Sequence, residues 1–131
     1  MHKLSFHFIV RYEGTIVAAA RLTLHTSIGE VPAASVYRDF VFQAPSPIGT
    51  FGRAVVTGAF RMYGLGTLLD LARYRKAQKI GCNTLITYAH PTRVEILSTL
   101  GFEVLGHANM SAYPRWPEEF ERVALICCLT P

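Results

Sequence analysis

The chain has 131 residues, of which half are apolar and 17% are charged, so it is long enough for one domain with a buried core and is not intrinsically disordered. Its net charge of +4 fits an anionic ligand or an ordinary basic surface, and no aromatic and basic pattern for base stacking favours a nucleic-acid partner. No apolar run is long enough to cross a membrane and no secretion signal is recognisable, so we expect a cytoplasmic protein without a membrane partner.

The N-terminal part of the chain predicts a β-hairpin. Leu4–Tyr12 and Thr15–His25 are both rich in β-branched and aromatic residues, which favour strands. Only Glu13 and Gly14 separate them, and a two-residue loop of this kind joins antiparallel neighbours. The first two strands of the sheet are therefore expected here.

The stretch Thr26–Pro47 has no clear period, although Pro32 can start a short helix that runs to Phe40. Because the stretch carries several large apolar residues, we interpret it as a lid over the functional site rather than a loose loop. Glu30 and Asp39 within it are candidate bases, with solvated surface carboxylates as the alternative reading.

The centre of the chain predicts a strand, a turn, a helix and a second strand. Thr50–Val56 is the first strand, and the helix after the turn runs to about Lys79, with Gly81 as its stop. Thr84–Ala89 is the second strand, so the unit requires a parallel pair with a right-handed crossover. The apolar stripe of the helix is expected to contain Leu65, Leu68, Leu69 and Ala72.

The C-terminal part predicts a short helix and two more strands. Thr92 and Glu95 have the spacing of a capping box, which places a helix over Arg93–Leu100, and Gly101 supplies its left-handed C-terminal residue. The element order is therefore βββ-α-β-α-ββ. This order predicts an α+β fold with three layers, of the α/β type, around one mostly antiparallel sheet. The last two strands are Phe102–Ser111 and Arg122–Leu129.

The turn Arg61–Gly66 links the central strand to its helix and predicts an anion site. Gly64 and Gly66 let the backbone turn without Cβ crowding, so that successive N–H groups can face one concavity. The helix that follows adds unpaired N–H groups and the positive end of its dipole. A phosphate or diphosphate suits this site, and glycines that serve packing alone are the alternative.

The pattern Arg61-x-x-Gly64-x-Gly66 after a strand resembles the acyl-CoA pyrophosphate loop of the GCN5-related N-acetyltransferase (GNAT) superfamily. The run Thr92–Phe102, which ends in Leu-Gly-Phe, resembles a later segment of the same superfamily, and the element order matches from the second strand to the last. The resemblance implies a GNAT-like acyltransferase domain over residues 1–131 that lacks the usual N-terminal strand and helices. A missing N-terminal part, the lid or a second subunit of a homodimer would then close the acceptor side.

The resemblance also implies the donor and its binding residues. In the superfamily, the strands that end here at Val56 and His90 splay apart and hold the pantetheine arm of acetyl-CoA or another acyl-CoA, with no metal. Main-chain groups at the strand ends and in the loop would bind the donor. The implied donor-binding residues are Ala54, Val55, Val56, Arg61, Met62, Tyr63, Gly64, Leu65, Gly66 and Thr67.

This sequence departs from the superfamily pattern at the position of the residue that protonates the leaving thiolate. Many members use a tyrosine five residues before the phenylalanine of Leu-Gly-Phe, and Leu97 stands at that position here. Ser98, Tyr88 and His90 are the candidates to replace it, and protonation by water or the loss of catalysis stay open. For His90, which precedes a proline, a strand cap is the alternative role.

Arg53 is a further candidate because an arginine inside an apolar strand requires a partner. It stands in place of the arginine in the Glu-x-Ser-Arg motif of the autoinducer synthases and N-acyl amino acid synthases, relatives that take acyl groups from acyl carrier protein. Thr50 and Gly52 replace the glutamate and serine, so this resemblance is partial and both donors stay open.

Three functions follow from these readings. The first is an N-acyltransferase that moves an acyl group, in the first instance acetyl, to the amine of a small molecule or peptide by direct attack in a ternary complex. The second is an acyl-CoA-binding module without transfer activity, which the leucine at position 97 favours. The third is a scaffold whose glycines serve packing.

Overall fold

A computed structural model of the chain describes residues 4–27, 29, 40, 42–108 and 122–129, apart from the side chains of Arg53 and Ala108. Within these residues the element order is the predicted βββ-α-β-α-ββ, with two short 3-10 turns, Gly58–Phe60 and Pro91–Arg93. No helix among them is long and apolar enough to span a membrane. The strands are β1 (Ser5–Tyr12), β2 (Thr15–His25), β3 (Ile48–Val56), β4 (Thr84–Ala89), β5 (Glu103–Ala108) and β6 (Arg122–Cys128), and the helices are α1 (Leu65–Lys79) and α2 (Val94–Thr99).

The six described strands form one sheet in the order β1-β2-β3-β4-β6-β5. Every neighbouring pair is antiparallel except β3 and β4, which are parallel and are joined by a connection that contains α1. The predicted α+β fold class, with one parallel strand-helix-strand unit in a mostly antiparallel sheet, is confirmed. The short helix from Pro32, the carboxylates Glu30 and Asp39 and the part of the last hairpin beyond Ala108 lie outside the described residues.

The core is divided between the two faces of the sheet. One cluster joins Leu22, Leu85 and Leu125 of three strands to Ala77 of α1 and Leu97 of α2, so this is the helical face. The second cluster lies on the other face. It contains Ile48, Ile86, Ala124 and Ile126, with Phe40, Phe42 and Ala44 packed against it.

The buried face of α1 differs from the predicted apolar stripe. Leu68 is 52% exposed, so its assignment to the buried stripe is wrong. Buried positions are instead taken by Leu69, Asp70, Arg73 and Ala77. Asp70 and Arg73 pair with each other across one turn, and this pairing lets two charged residues occupy a face that apolar periodicity alone assigns elsewhere.

The predicted capping box does not form at the start of α2. Nδ1 of His90 accepts a hydrogen bond from the Thr92 N–H at 3.2 Å, and the Thr92 hydroxyl lies 2.9 Å from the same nitrogen. Because the hydroxyl is engaged with His90, it does not cap the helix, which begins at Val94 after the 3-10 turn. The side chain of His90 therefore caps the 3-10 turn Pro91–Arg93, which differs from the strand cap that sequence reasoning gave as its alternative role.

Candidate active site

β3 and β4 are paired over only a short length. Ile48–Thr50 pairs with Thr84–Ile86, and no further pairing follows although both strands continue. The Thr87 hydroxyl donates a hydrogen bond to the Phe51 carbonyl at 3.4 Å just beyond the last pair. A notch therefore opens between the carboxyl ends of the two strands, where their main-chain groups do not satisfy each other.

The notch belongs to one cleft of about 620 Å³. On the helical face the cleft is lined by the first turns of α1, by Arg93 and by Leu97. From the other face, Arg21 of β2, Tyr88 of β4 and Arg122 of β6 contribute to its lining. The cleft is thus lined by residues from both faces of the sheet.

The loop between β3 and α1 has the backbone conformation that the glycines predict. Gly64 caps α1 with φ of +74°, and Met62 also has a positive φ, of +77°. The Leu68 N–H donates the hydrogen bond to the Gly64 carbonyl at 3.0 Å that starts the helix. The N–H groups of Leu65, Gly66 and Thr67 precede this bond, so they lack an acceptor within the helix and form its positive end.

A guanidinium covers part of this helix start. A methyl group added at Gly66 would lie 2.9 Å from Nη1 of Arg93. The same guanidinium donates from Nη2 to a carboxylate oxygen of Asp70 on α1. Arg93 therefore spans the helical face of the notch, from the turn that follows β4 to the first turns of α1.

Asp70 has a second arginine partner in the core. Nη2 of Arg73 donates to Asp70 at 2.7 Å, while Nη1 donates to the carbonyls of Arg21 and Gly52 at 3.3 Å each. The guanidinium carbon of Arg73 lies 4.2 Å from the ring centre of Phe51. The side chain thus fixes α1 to β2 and β3 at the edge of the notch.

Asp70, Arg73 and Arg93 form an acidic and basic triad that carries a net positive charge. Burial raises the pKa of Asp70, and both guanidiniums oppose this shift. Burial also lowers the pKa of Arg73, but an arginine keeps its proton at any physiological pH. One carboxylate between two guanidiniums leaves one positive charge beside the start of α1, which adds to the attraction of an anion.

Comparison with solved protein structures identifies the fold in which this cleft lies. The chain aligns with the ribosomal-protein-S18-alanine N-acetyltransferase from Escherichia coli over 97% of its length and 70% of that chain, with a TM-score of 0.67 at 16% identity. A Bacillus subtilis acetyltransferase in complex with CoA aligns over 95% of this chain and 76% of its own, with a TM-score of 0.66 at 12% identity. This chain has the GNAT fold.

A third solved structure with this fold concerns the other predicted branch. A CoA-dependent acyl-homoserine lactone synthase, with SAM and isopentyl-CoA, aligns over 96% of this chain and 59% of its own, with a TM-score of 0.69 at 15% identity. No protein-family model matches the sequence, and no curated protein does. The GNAT fold is therefore established by structure at sequence identities that leave the activity to be argued from the site.

The predicted donor-binding residues occupy different places around the cleft of this GNAT fold. Ala54, Val56 and Gly66 line it. Val55 is 63% exposed, as expected for the residue between two inward-pointing neighbours on a strand. Met62 and Tyr63 are also exposed. The remaining predicted residues, Arg61, Gly64, Leu65 and Thr67, do not line the cleft with those three.

The predicted catalytic residues are likewise divided. Tyr88 and His90 line the cleft, whereas Ser98 is exposed on α2 and does not. The side chain of Arg53 lies outside what the structure describes. No group of three or more potential metal ligands occurs among the described residues.

Sequence reasoning missed the triad within the GNAT fold. The signal for its buried part was available, because Asp70 and Arg73 stand at the i,i+3 spacing of a helical ion pair. The contact of Asp70 with Arg93 had no such signal, since 23 residues separate them and only the crossover of the chain brings them together.

We expect Asp70→Asn to lower the free energy of unfolding by about 3–5 kcal/mol, because it leaves Arg73 buried without its counter-charge. Arg93→Gln should cost less than about 1 kcal/mol, since the Arg93 side chain is 32% exposed. Urea unfolding measures both, with the exposed Glu95→Gln on α2 as the control. An Asp70→Asn protein as stable as that control would contradict a structural role for the pair.

Proposed function

We propose that this protein is an acyltransferase that moves an acyl group, acetyl in the simplest case, from acyl-CoA to an amine in a ternary complex. The observation that carries the proposal is the notch in a GNAT fold, where β3 and β4 separate beside a helix start with unpaired N–H groups. The acetyltransferase with CoA and the synthase with isopentyl-CoA are similar structures that support the choice of donor.

The donor enters from the helical face in this proposal. Its diphosphate binds at the N–H groups of Leu65, Gly66 and Thr67, where the positive end of the α1 dipole favours an anion. Its pantetheine amides pair with main-chain groups of β3 and β4 that the notch leaves unpaired. The thioester then lies in the notch, within reach of residues on the other face.

Arg93 is placed to respond to the donor. Its guanidinium covers Gly66, while Asp70 has Arg73 as a second partner and stays neutralised when Arg93 leaves. A diphosphate at the start of α1 therefore competes with Asp70 for Arg93. We assign Arg93 the role of a donor contact that turns from the carboxylate to the diphosphate on binding.

The transfer itself forms a C–N bond and breaks the C–S bond. A neutral amine attacks the thioester carbonyl, its surplus proton passes to solvent, and the leaving thiolate takes a proton from an acid. Tyr88 lines the cleft and is our candidate for this acid. His90 is less suited to act as a base, because its Nδ1 accepts from Thr92 and its proton is then assigned to Nε2.

A second candidate function is an acyl-CoA-binding module without transfer activity. Leu97 is only 3% exposed and lines the cleft at the position where the resemblance implies a catalytic tyrosine. Under this alternative, the notch and the helix start bind the donor and no side chain protonates the thiolate.

Calorimetry with acetyl-CoA, followed by a thiol-release assay over a panel of amines, tests the proposal. We expect binding, and release of CoA thiol that depends on at least one amine. Binding without release on every acceptor would favour the binding module, and a parallel titration with an acylated carrier protein tests the other donor. If neither donor binds, both functions are wrong.

We expect Tyr88→Phe to lower kcat by roughly 10²- to 10⁴-fold, the usual contribution of a positioned acid, without a change in the Kd for acetyl-CoA. Tyr12→Phe is the matched control, because Tyr12 is an exposed tyrosine of β1. A kcat for Tyr88→Phe equal to that of the control would exclude Tyr88 as the acid.

Arg93→Gln should weaken acetyl-CoA binding by roughly 10-fold or more, the size of a charge-assisted hydrogen bond, and leave binding of acetyl-pantetheine unchanged. Acetyl-pantetheine lacks the diphosphate together with the 3′-phosphoadenosine, so the comparison isolates that half of the donor. Arg75→Gln, at an exposed arginine of α1, serves as the control in calorimetry. An equal loss for both ligands would show that Arg93 acts on the fold rather than on the diphosphate.

A further inference from the structure

Two arginines line the cleft from the sheet face away from the helices. Arg21 of β2 precedes Leu22, which packs in the helical-face core, so the side chain of Arg21 points to the opposite face. Arg122 of β6 precedes Val123 of the same core and is placed in the same way. Both arginines thus lie on the side of the notch opposite α1.

The side chain of Arg21 has one buried donor that the described residues do not satisfy. Its Nε is inaccessible to solvent and has no hydrogen-bond acceptor among the described residues. An arginine cannot avoid this cost by losing its proton, so a buried guanidinium donor calls for an acceptor. An anion supplied by a ligand meets that need.

The position of Arg21 relates this need to the reaction. Its Nη2 and Nε would lie 3.5 and 3.6 Å from a methyl group added at Gly52, so the guanidinium lies beside Gly52. Gly52 is the second residue after Thr50, where the pairing of β3 and β4 ends. The buried Nε therefore belongs to a side chain at the edge of the notch.

Among the described residues, this wall also contains Arg122. Burial lowers the pKa of Arg122, and the neighbouring Tyr88 opposes the shift. Tyr88 pairs with Ala124, two residues from Arg122, and both side chains line the cleft. Asp70 is the carboxylate among the described lining residues, and it lies on the helical face bound to Arg73 and Arg93. The described part of the opposite wall has two guanidiniums and no carboxylate.

We propose that this wall binds the acceptor through a carboxylate held by Arg21, with the guanidinium of Arg122 lining the same wall from β6. The acceptor class is then an amine that carries a free carboxylate, with an α-amino acid as its simplest member. That an acceptor binds here at all rests on the proposed function. The donor phosphates belong to the helical face, so the anion on this wall belongs to the other substrate.

The chemistry of the groups favours a carboxylate. The planar guanidinium fork matches the two oxygens of a carboxylate. The amine of an α-amino acid is one carbon from its carboxylate, so a carboxylate at Arg21 keeps the nucleophile at the edge of the notch. Tyr88 lines the same cleft and can reach the thiolate that leaves.

The test compares acceptors that differ only in the anionic group. L-Leucine, L-leucinamide and 3-methylbutylamine share a side chain and an amine. The corresponding acid, amide and amine of alanine, lysine and glutamate show whether the preference depends on the side chain. We expect kcat/KM in the thiol-release assay to be roughly 10-fold or more higher for the free carboxylates of at least one set. O-Phosphoethanolamine against β-alanine compares phosphate with carboxylate.

Variants then assign the preference to Arg21. Arg21→Gln should reduce the ratio between acid and amide toward one, Arg21→Lys should reduce it partly, and the exposed Arg75→Gln should leave it unchanged. Thermal melting and the Kd for acetyl-CoA report whether the variants fold and bind the donor. A ratio that Arg21→Gln leaves intact would overturn the proposal, as would a preference for amides, simple amines or the phosphate compound.

The outcome also separates this inference from the proposed transfer activity. If amines without a carboxylate are acylated as well as the acids, the transferase stands and the carboxylate site is wrong. If no acceptor releases thiol, calorimetry with the amino acids in the presence of CoA decides. Binding that Arg21→Gln abolishes then supports the carboxylate site without the enzyme, and no binding of any amino acid overturns it.

Discussion

The guanidinium of Arg73 is the contact on which the geometry of this site depends. β2 and β3 lose their regular register near Arg21, and a register shift leaves carbonyls that the ladder does not satisfy. Arg73 donates to two carbonyls beside this shift, at Arg21 and Gly52, and Asp70 balances its charge inside the core. α1 is thus attached to the sheet by directed hydrogen bonds as well as by apolar packing, and its first turn is held at the notch.

The two sides of the cleft follow from this attachment. On the helical face, the start of α1 presents unpaired N–H groups with Arg93 beside them, which suits a polyanion. On the other face, Arg21 carries a buried donor at the edge of the same notch. Under the proposed function, a sheet whose central strands separate holds one reactant on each side, and the notch is where they would meet.

Local sequence signals predicted most of the fold. The hairpin, the parallel unit and the positive φ of Gly101 follow from residue types whose preferences act over a few neighbours. The stripe on α1 was wrong at Leu68 because the pairing of Asp70 with Arg73 changes which face is buried. The capping box at Thr92 was wrong because a histidine two residues earlier competes for the same hydroxyl.

The site was less predictable than the fold because its contacts join residues that are far apart in the sequence. The motif around Gly64 and Gly66 marked the loop, and the strand ends marked the notch. The contacts that give the cleft its charge join Arg93 to Asp70 and Arg73 to β2 across 23 and 52 residues of sequence, so no local pattern reports them. Burial of the Arg21 Nε likewise depends on the whole sheet and cannot be read from its neighbours in the chain.

The shortness of the β3 and β4 ladder has a mechanical consequence. The sheet consists in effect of two three-stranded halves, β1-β2-β3 and β4-β6-β5. Long antiparallel ladders hold each half together, whereas three residue pairs join one half to the other. α1 packs mainly on the first half and α2 on β5, so each half carries its own helix. A hinge of so few main-chain bonds resists bending less than either half does, and the bond from Arg93 to Asp70 is a side-chain tie across it.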